Sequence, residues 1–133
     1  MPILKVSSLK RSGPVSWCTV SSGDPEKVMK VKALWDSGAE GTFLSKKVAG
    51  ALNLPILGET TATLAGGEVV KGYFSQVDLM FSESVSFQRH SIVVIDMDRE
   101  DEEDLVIGMD LFWQGIFHMV PKGETLEFMF IMP

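Results

Sequence analysis

The sequence has a single cysteine, Cys18, among 133 residues. No intrachain disulfide is possible, which fits a reducing compartment. Basic residues are also few: 12 Lys and Arg stand against 18 Asp and Glu, for a net charge of −6. That balance argues against a nucleic-acid backbone as the main partner, because neutralising phosphates takes a basic surface. The N-terminus has no apolar run of the signal type, and no stretch approaches the roughly eighteen apolar residues of a membrane span. These absences predict a soluble, unsecreted, cytoplasmic protein without membrane contact. His90 and His118 have no ligand spacing to each other or to Cys18, so no metal site and no cofactor are expected. The acidic run at 96–104 fails as a calcium loop. Counted from Asp96, the places for Gly and Glu are taken by Asp101 and Ile107. It reads as a solvated loop.

What is present is a chain 45% apolar and 23% charged, long enough for one hydrophobic core. One domain over 1–133 follows. Short extended segments recur along it, at 3–9, 15–20, 28–35, 59–64, 69–81, 85–95, 116–120 and 125–131, with turn residues between them. Val77, Leu79 and Phe81 alternate with Gln76, Asp78 and Met80. Gly66 and Gly67 supply positive φ for a hairpin turn over 65–68. One short helix is predicted over 46–52, with Ser45 as its N-cap and Val48, Ala49 and Leu52 on its packed side. A helical turn is expected at 110–114, and 121–124 reads as a turn. Residues 125–131 are apolar on both faces, which suits a buried barrel strand or a subunit contact. The pattern is all-β, a barrel or a sandwich.

The run from Met29 to Trp35 alternates Met29, Val31, Ala33 and Trp35 with Lys30 and Lys32, then stops at Asp36-Ser37-Gly38. Apolar residues resume beyond it. Such a tripeptide is a loop between packed segments, and an Asx turn is its ordinary reading. A carboxylate at the mouth of a hydrophobic strand is also a place where burial desolvates an acid and leaves it reachable.

Apolar-apolar-Asp36-Ser37-Gly38-Ala39 resembles the active-site loop of retropepsin-like aspartic proteases. Leu105-Val106-Ile107-Gly108-Met109-Asp110 resembles the second signature of that family. The resemblance runs from about 28 to about 130. It implies a retropepsin-like closed barrel with one short helix after the catalytic loop and a helical turn near the C-terminus. It also implies an aspartic endopeptidase that hydrolyses peptide bonds with two carboxylates sharing one proton. Aspartic proteases are themselves the type case of such a shared-proton pair, so the pairing comes with the resemblance. None of the other aspartates precedes Ser/Thr-Gly, so the second carboxylate would be Asp36 of a second copy, in a twofold homodimer.

On the resemblance, Asp36 activates water, Ser37 locks the two loops together, and Gly38, Ala39 and Glu40 meet the substrate main chain. Ala65, Gly66, Gly67 and Glu68 form a flap over the peptide or protein substrate, and Ile107 and Gly108 support the loop from beneath. Three positions depart from the viral pattern: Trp35 is bulkier than usual, Glu40 replaces Asp, and Met109 replaces Arg. A non-catalytic peptide-binding or assembly domain of the same fold is the alternative these departures leave open.

Overall fold

A computed structural model describes residues 1–97 and 103–133. The middle of the acidic run, at 98–102, lies outside the described residues. Strand β1 (Ile3–Leu9) leads through a 3-10 turn (Lys10–Ser12) into β2 (Val15–Ser21). Then come β3 (Val28–Trp35), β4 (Phe43–Ser45), helix α1 (Lys46–Ala51), β5 (Gly58–Thr63), β6 (Val69–Met80) and β7 (Ser86–Ile95). Strand β8 (Glu103–Ile107), helix α2 (Met109–Phe112), β9 (Ile116–Lys122) and β10 (Thr125–Ile131) complete the chain. The fold is all-β, as the sequence pattern predicts. Among the described residues no helix is long and apolar enough to cross a membrane.

The larger sheet runs β2-β3-β8-β4-β7-β6-β5, and β2 also pairs with β6. That last pairing closes β2, β3, β8, β4, β7 and β6 into a barrel and leaves β5 as a hairpin arm on β6. Two of the pairings are parallel, β3 with β8 and β4 with β7. Parallel pairing needs long connections, and here both join segments far apart in the chain. A second sheet, β1-β10-β9, is antiparallel throughout. The two-faced strand β10 is therefore not a strand of the barrel. It is the centre of this small sheet, with Leu126, Phe128 and Phe130 buried against the barrel.

Local sequence explains most elements. In β3 the alternation buries Val31, Ala33 and Trp35 in turn. Ser45 caps α1 as expected, its hydroxyl accepting the Val48 N–H at 3.3 Å. Val48, Ala49 and Leu52 pack into the core, and Asn53 ends the helical segment at φ 53°.

Two turn expectations are corrected. Of the hairpin glycines only Gly67 has positive φ, +84°. Its N–H donates to the Leu64 carbonyl at 2.9 Å, and Leu64 N–H donates to the Glu68 carbonyl at 2.8 Å. This is a three-residue loop closed by a left-handed glycine, which needs one such residue rather than two. Pro121 lies inside β9, opposite Leu126, and not in a turn. An edge strand tolerates proline because the missing N–H faces away from the ladder; the turn moves on to Gly123, at φ +63°.

Trp35 ties the two sheets together. It is 2% exposed, and its ring centroid lies 5.0–6.1 Å from those of Phe81, Phe112, Phe117, Phe128 and Phe130. Its indole N–H donates to Ser16 Oγ at 3.0 Å. A small residue here would leave a large void among these rings, which accounts for the bulky residue before Asp36.

Candidate active site

The chain leaves the barrel at the end of β3 and enters a loop, 36–42, that returns into β4. Parallel pairing puts Trp35 beside Ile107, and the next N–H, that of Asp36, donates to the Ile107 carbonyl at 2.9 Å. The loop then turns tightly. Asp36 Oδ1 accepts the Gly38 N–H at 2.9 Å, and the Ala39 N–H donates to the Asp36 carbonyl at 3.1 Å. This Asx turn fixes the plane of the carboxylate. Turn and acid site are thus compatible readings of the tripeptide, because the turn itself presents the acid.

The segment after β8 crosses under the returning limb. Met109 N–H donates to the Ala39 carbonyl at 2.7 Å, and Asp110 N–H to the Glu40 carbonyl at 3.2 Å. Gly108 N–H donates to Thr42 Oγ1 at 3.2 Å. The crossing is so close that a Cβ on Gly108 would overlap the Gly41 carbonyl oxygen, with the Gly41 carbon at 2.5 Å and the Ala39 oxygen at 2.9 Å. Only glycine fits there.

Asp36, Ser37, Gly38 and Glu40 are exposed, and Ala39 is half-buried. The sequence expectation that burial desolvates Asp36 is not met in the single chain: β3 ends at the barrel rim, and among the described residues no element covers the carboxylate. Asp36 and Ser37 line a cavity of about 550 Å³ with Pro14, Leu34, Trp35, Phe112, Phe117 and Met119. None of Ala65, Gly66, Gly67 and Glu68 lines it. Those four form the exposed tip of the β5–β6 hairpin. A second cavity of about 560 Å³ sits at the root of that hairpin, between Lys46, Glu59, Lys71 and Tyr73, and holds none of the predicted site residues.

Three residues near the loop escape the sequence reading. Thr42, 2% exposed, donates from Oγ1 to Asp110 Oδ1 at 2.8 Å. Asp110 Oδ2 lies 2.6 Å from His90 Nε2. Burial raises the Asp110 pKa, but the His90 and Thr42 hydrogen bonds, the charge of His90 and the Leu111 N–H together bring it below the ordinary carboxylate value. Thr42 and Asp110 are 68 residues apart and His90 and Asp110 are 20 apart, so no local pattern marks the set. The only hint is that Asp110 ends the second signature.

A closed β-barrel with a parallel-braced loop at its rim, and an Asp-Ser-Gly turn presented there, defines a retropepsin-like fold. Solved structures of this class superpose on it. A retropepsin-like aspartic protease from Rickettsia conorii matches with a TM-score of 0.61 at 13% identity, over 98% of this chain and 94% of that one. The EIAV protease complexed with the inhibitor HBY-793 gives 0.58 at 16% identity, over 76% and 86%. The retroviral protease-like domain of Ddi1 from Leishmania major gives 0.52 at 17% identity, over 78% of each chain. The family model described as aspartyl protease matches residues 19–111, and the chain belongs to that family. No curated protein matches the sequence.

Proposed function

We propose that the chain is an aspartic endopeptidase whose active site is completed by a second copy. One observation carries this reading: an exposed Asp36 carboxylate, held in plane by the Gly38 N–H, on a loop braced from below by the Ile107–Asp110 segment. One such carboxylate is half of what amide hydrolysis needs.

In the dimer two Asp36 carboxyls lie close enough to share one proton. The ionised carboxylate takes a proton from water as its oxygen attacks the scissile carbonyl. The protonated carboxyl gives its proton to the carbonyl oxygen, forming a neutral tetrahedral diol. Collapse of the diol returns a proton from its hydroxyl to one carboxylate, while the other carboxyl protonates the leaving nitrogen as the C–N bond breaks. Ser37 bonds across the axis and locks the loops. Ala39 and Glu40 hold the main chain of an extended substrate, which adds as a strand beneath the hairpin tip 65–68. A shared proton requires acid to mildly acid conditions.

The small sheet supports the pairing. Strand β10 is bonded on both edges within the chain, over the full length of β1 and β9, so β1 and β9 are the outer strands, and among the described residues no strand pairs with the outer edge of β9. Ile116, Met119 and Val120 on it are exposed, and Phe117 and Met119 share the cavity with Asp36. A twofold axis beside Asp36 runs past this strand, and antiparallel contact of β9 with its own copy satisfies an edge that a lone chain leaves open.

The test is cleavage of a peptide library by the purified chain beside D36N, with the mass in solution measured at the same concentration. Cleavage lost in D36N, by a dimeric chain, is the expected result. Equal cleavage by both removes Asp36 from the chemistry. No cleavage by either, with peptide still bound, assigns the fold to the non-catalytic peptide-binding alternative.

A further inference from the structure

Thr42, Asp110 and His90 form one continuous hydrogen-bonded chain at the loop crossing. A threonine hydroxyl has one proton. Given to Asp110 Oδ1, it leaves only lone pairs to face the Gly108 N–H, and that N–H is placed to use them. The polarity of the whole crossing is therefore set by what stands at 110. An acceptor on that side makes Thr42 an acceptor for Gly108, and an apolar group there leaves the proton of a buried hydroxyl without an acceptor.

His90 is delivered to this set by an irregularity in the barrel. The register between β6 and β7 shifts by one residue between the pairs Val77↔His90 and Leu79↔Phe87. Arg89 takes a left-handed φ of 50°, and its N–H donates to Asp78 Oδ1 at 2.8 Å. The extra residue changes which parity of β7 faces inward. Phe87 points into the aromatic cluster, touching Phe81 and Phe130, and His90, three residues on, also points in. A regular strand would place residues three apart on opposite faces. A non-glycine residue held at positive φ is costly, and such strain persists where the surroundings enforce it, often beside functional sites.

We propose that His90 and Asp110 are positioning residues for the Asp36 loop. They lock Thr42, and through it Gly108, so that the two limbs of the crossing stay in register and the Asp36 carboxylate keeps its angle. The inference rests on the reading of Asp36 as catalytic, but its structural half does not. Side-chain exposures of 19% for His90 and 28% for Asp110 leave the pair partly shielded from bulk water, which strengthens such a bond.

The chemistry of the set predicts which variants succeed. Gln at 90 carries an amide N–H near the place of Nε2, so H90Q keeps the bond to Asp110. Asn at 110 keeps an acceptor for Thr42 and offers an N–H to an imidazole in its other tautomer, so D110N keeps both contacts. H90L nearly keeps the volume, D110L keeps the branching at Cγ with added bulk, and both lose the bonds.

Each variant is measured for kcat and KM on one cleaved peptide, and for hydrogen exchange at the amides of Gly108, Met109 and Asp110. H90L and D110L are expected to lower kcat about ten- to a hundredfold, the scale for a misplaced reacting group, with KM within about twofold. H90Q and D110N are expected within about threefold of the parent chain, and the double variant H90L/D110L no worse than the weaker single, as for members of one network. Exchange at the three amides should quicken in the leucine variants while the β6–β7 ladder stays protected. Parental kcat with unchanged exchange in H90L and D110L overturns the proposal; so does an equal loss in H90Q and H90L. If D110L does not fold, the H90L and H90Q pair decides alone. If the parent chain cleaves nothing, the exchange arm still tests the lock, and the catalytic reading fails separately.

Discussion

Replacing Gly108 with alanine is the smallest change that strikes the loop crossing. The added methyl has three backbone neighbours: the Gly41 carbonyl oxygen and carbon, and the Ala39 oxygen at 2.9 Å. Backbone cannot rotate away as a side chain can, so one limb must move. Overpacking of this kind costs about 1–3 kcal/mol, and more where nothing yields. Moving the limb also strains the bonds from Met109 N–H to Ala39 and from Asp110 N–H to Glu40, worth about 1 kcal/mol each. The expected loss is about 3–5 kcal/mol, or a fall of about 10–20 °C in unfolding midpoint for a chain of this size. Gly50→Ala is the matched control. A Cβ there meets nothing within 4 Å, and alanine in a helix gains about 0.5–1 kcal/mol. Calorimetry or circular dichroism at one protein concentration reads both, since the proposed dimerisation makes the midpoint concentration-dependent. A Gly108→Ala chain within about 1 kcal/mol of its parent would refute the close crossing.

Cys18 is 1% exposed, and burial pushes its thiol pKa to about 12. The native chain should therefore resist alkylation at pH 8 and react in denaturant; mass spectrometry after timed iodoacetamide treatment checks this, and rapid native labelling would mean that β2 opens readily. Asp110 has a lowered pKa in the folded chain, chiefly from His90 and Thr42 acting against burial. Its contribution to stability is present above the ordinary aspartate value of about 3.9 and is lost as pH falls through the lower folded value. Urea unfolding of the parent and D110N across that range should show the parent's advantage shrinking in acid; an advantage that grows in acid would reverse the sign of the shift.

Much of the fold is legible in short-range pattern. The alternation in β3, the Ser45 cap and the position of Gly67 in the hairpin loop each depend on neighbours a few residues away, and periodicity records such neighbours. The Asp36-Ser37-Gly38 turn and the Ile107-Gly108 signature are legible for the same reason. Turn ends are read less well. Pro121 looks like a breaker until β9 is known to be an edge strand, and the second hairpin glycine looks necessary until the loop is known to have three residues.

Sequence alone determined that the chain is built of short strands, that one carboxylate stands at the end of an apolar strand, and that a glycine follows the second apolar run. Tertiary structure alone decided that β8 lies parallel to β3, the pairing by which Ile107 meets Asp36, that Trp35 joins two sheets, and that Asp36 emerges exposed. It also decided that Thr42, His90 and Asp110 meet. The reason is physical: pattern is set by each residue's own surroundings along the chain, whereas these contacts exist only once long loops have closed and distant strands have found their register.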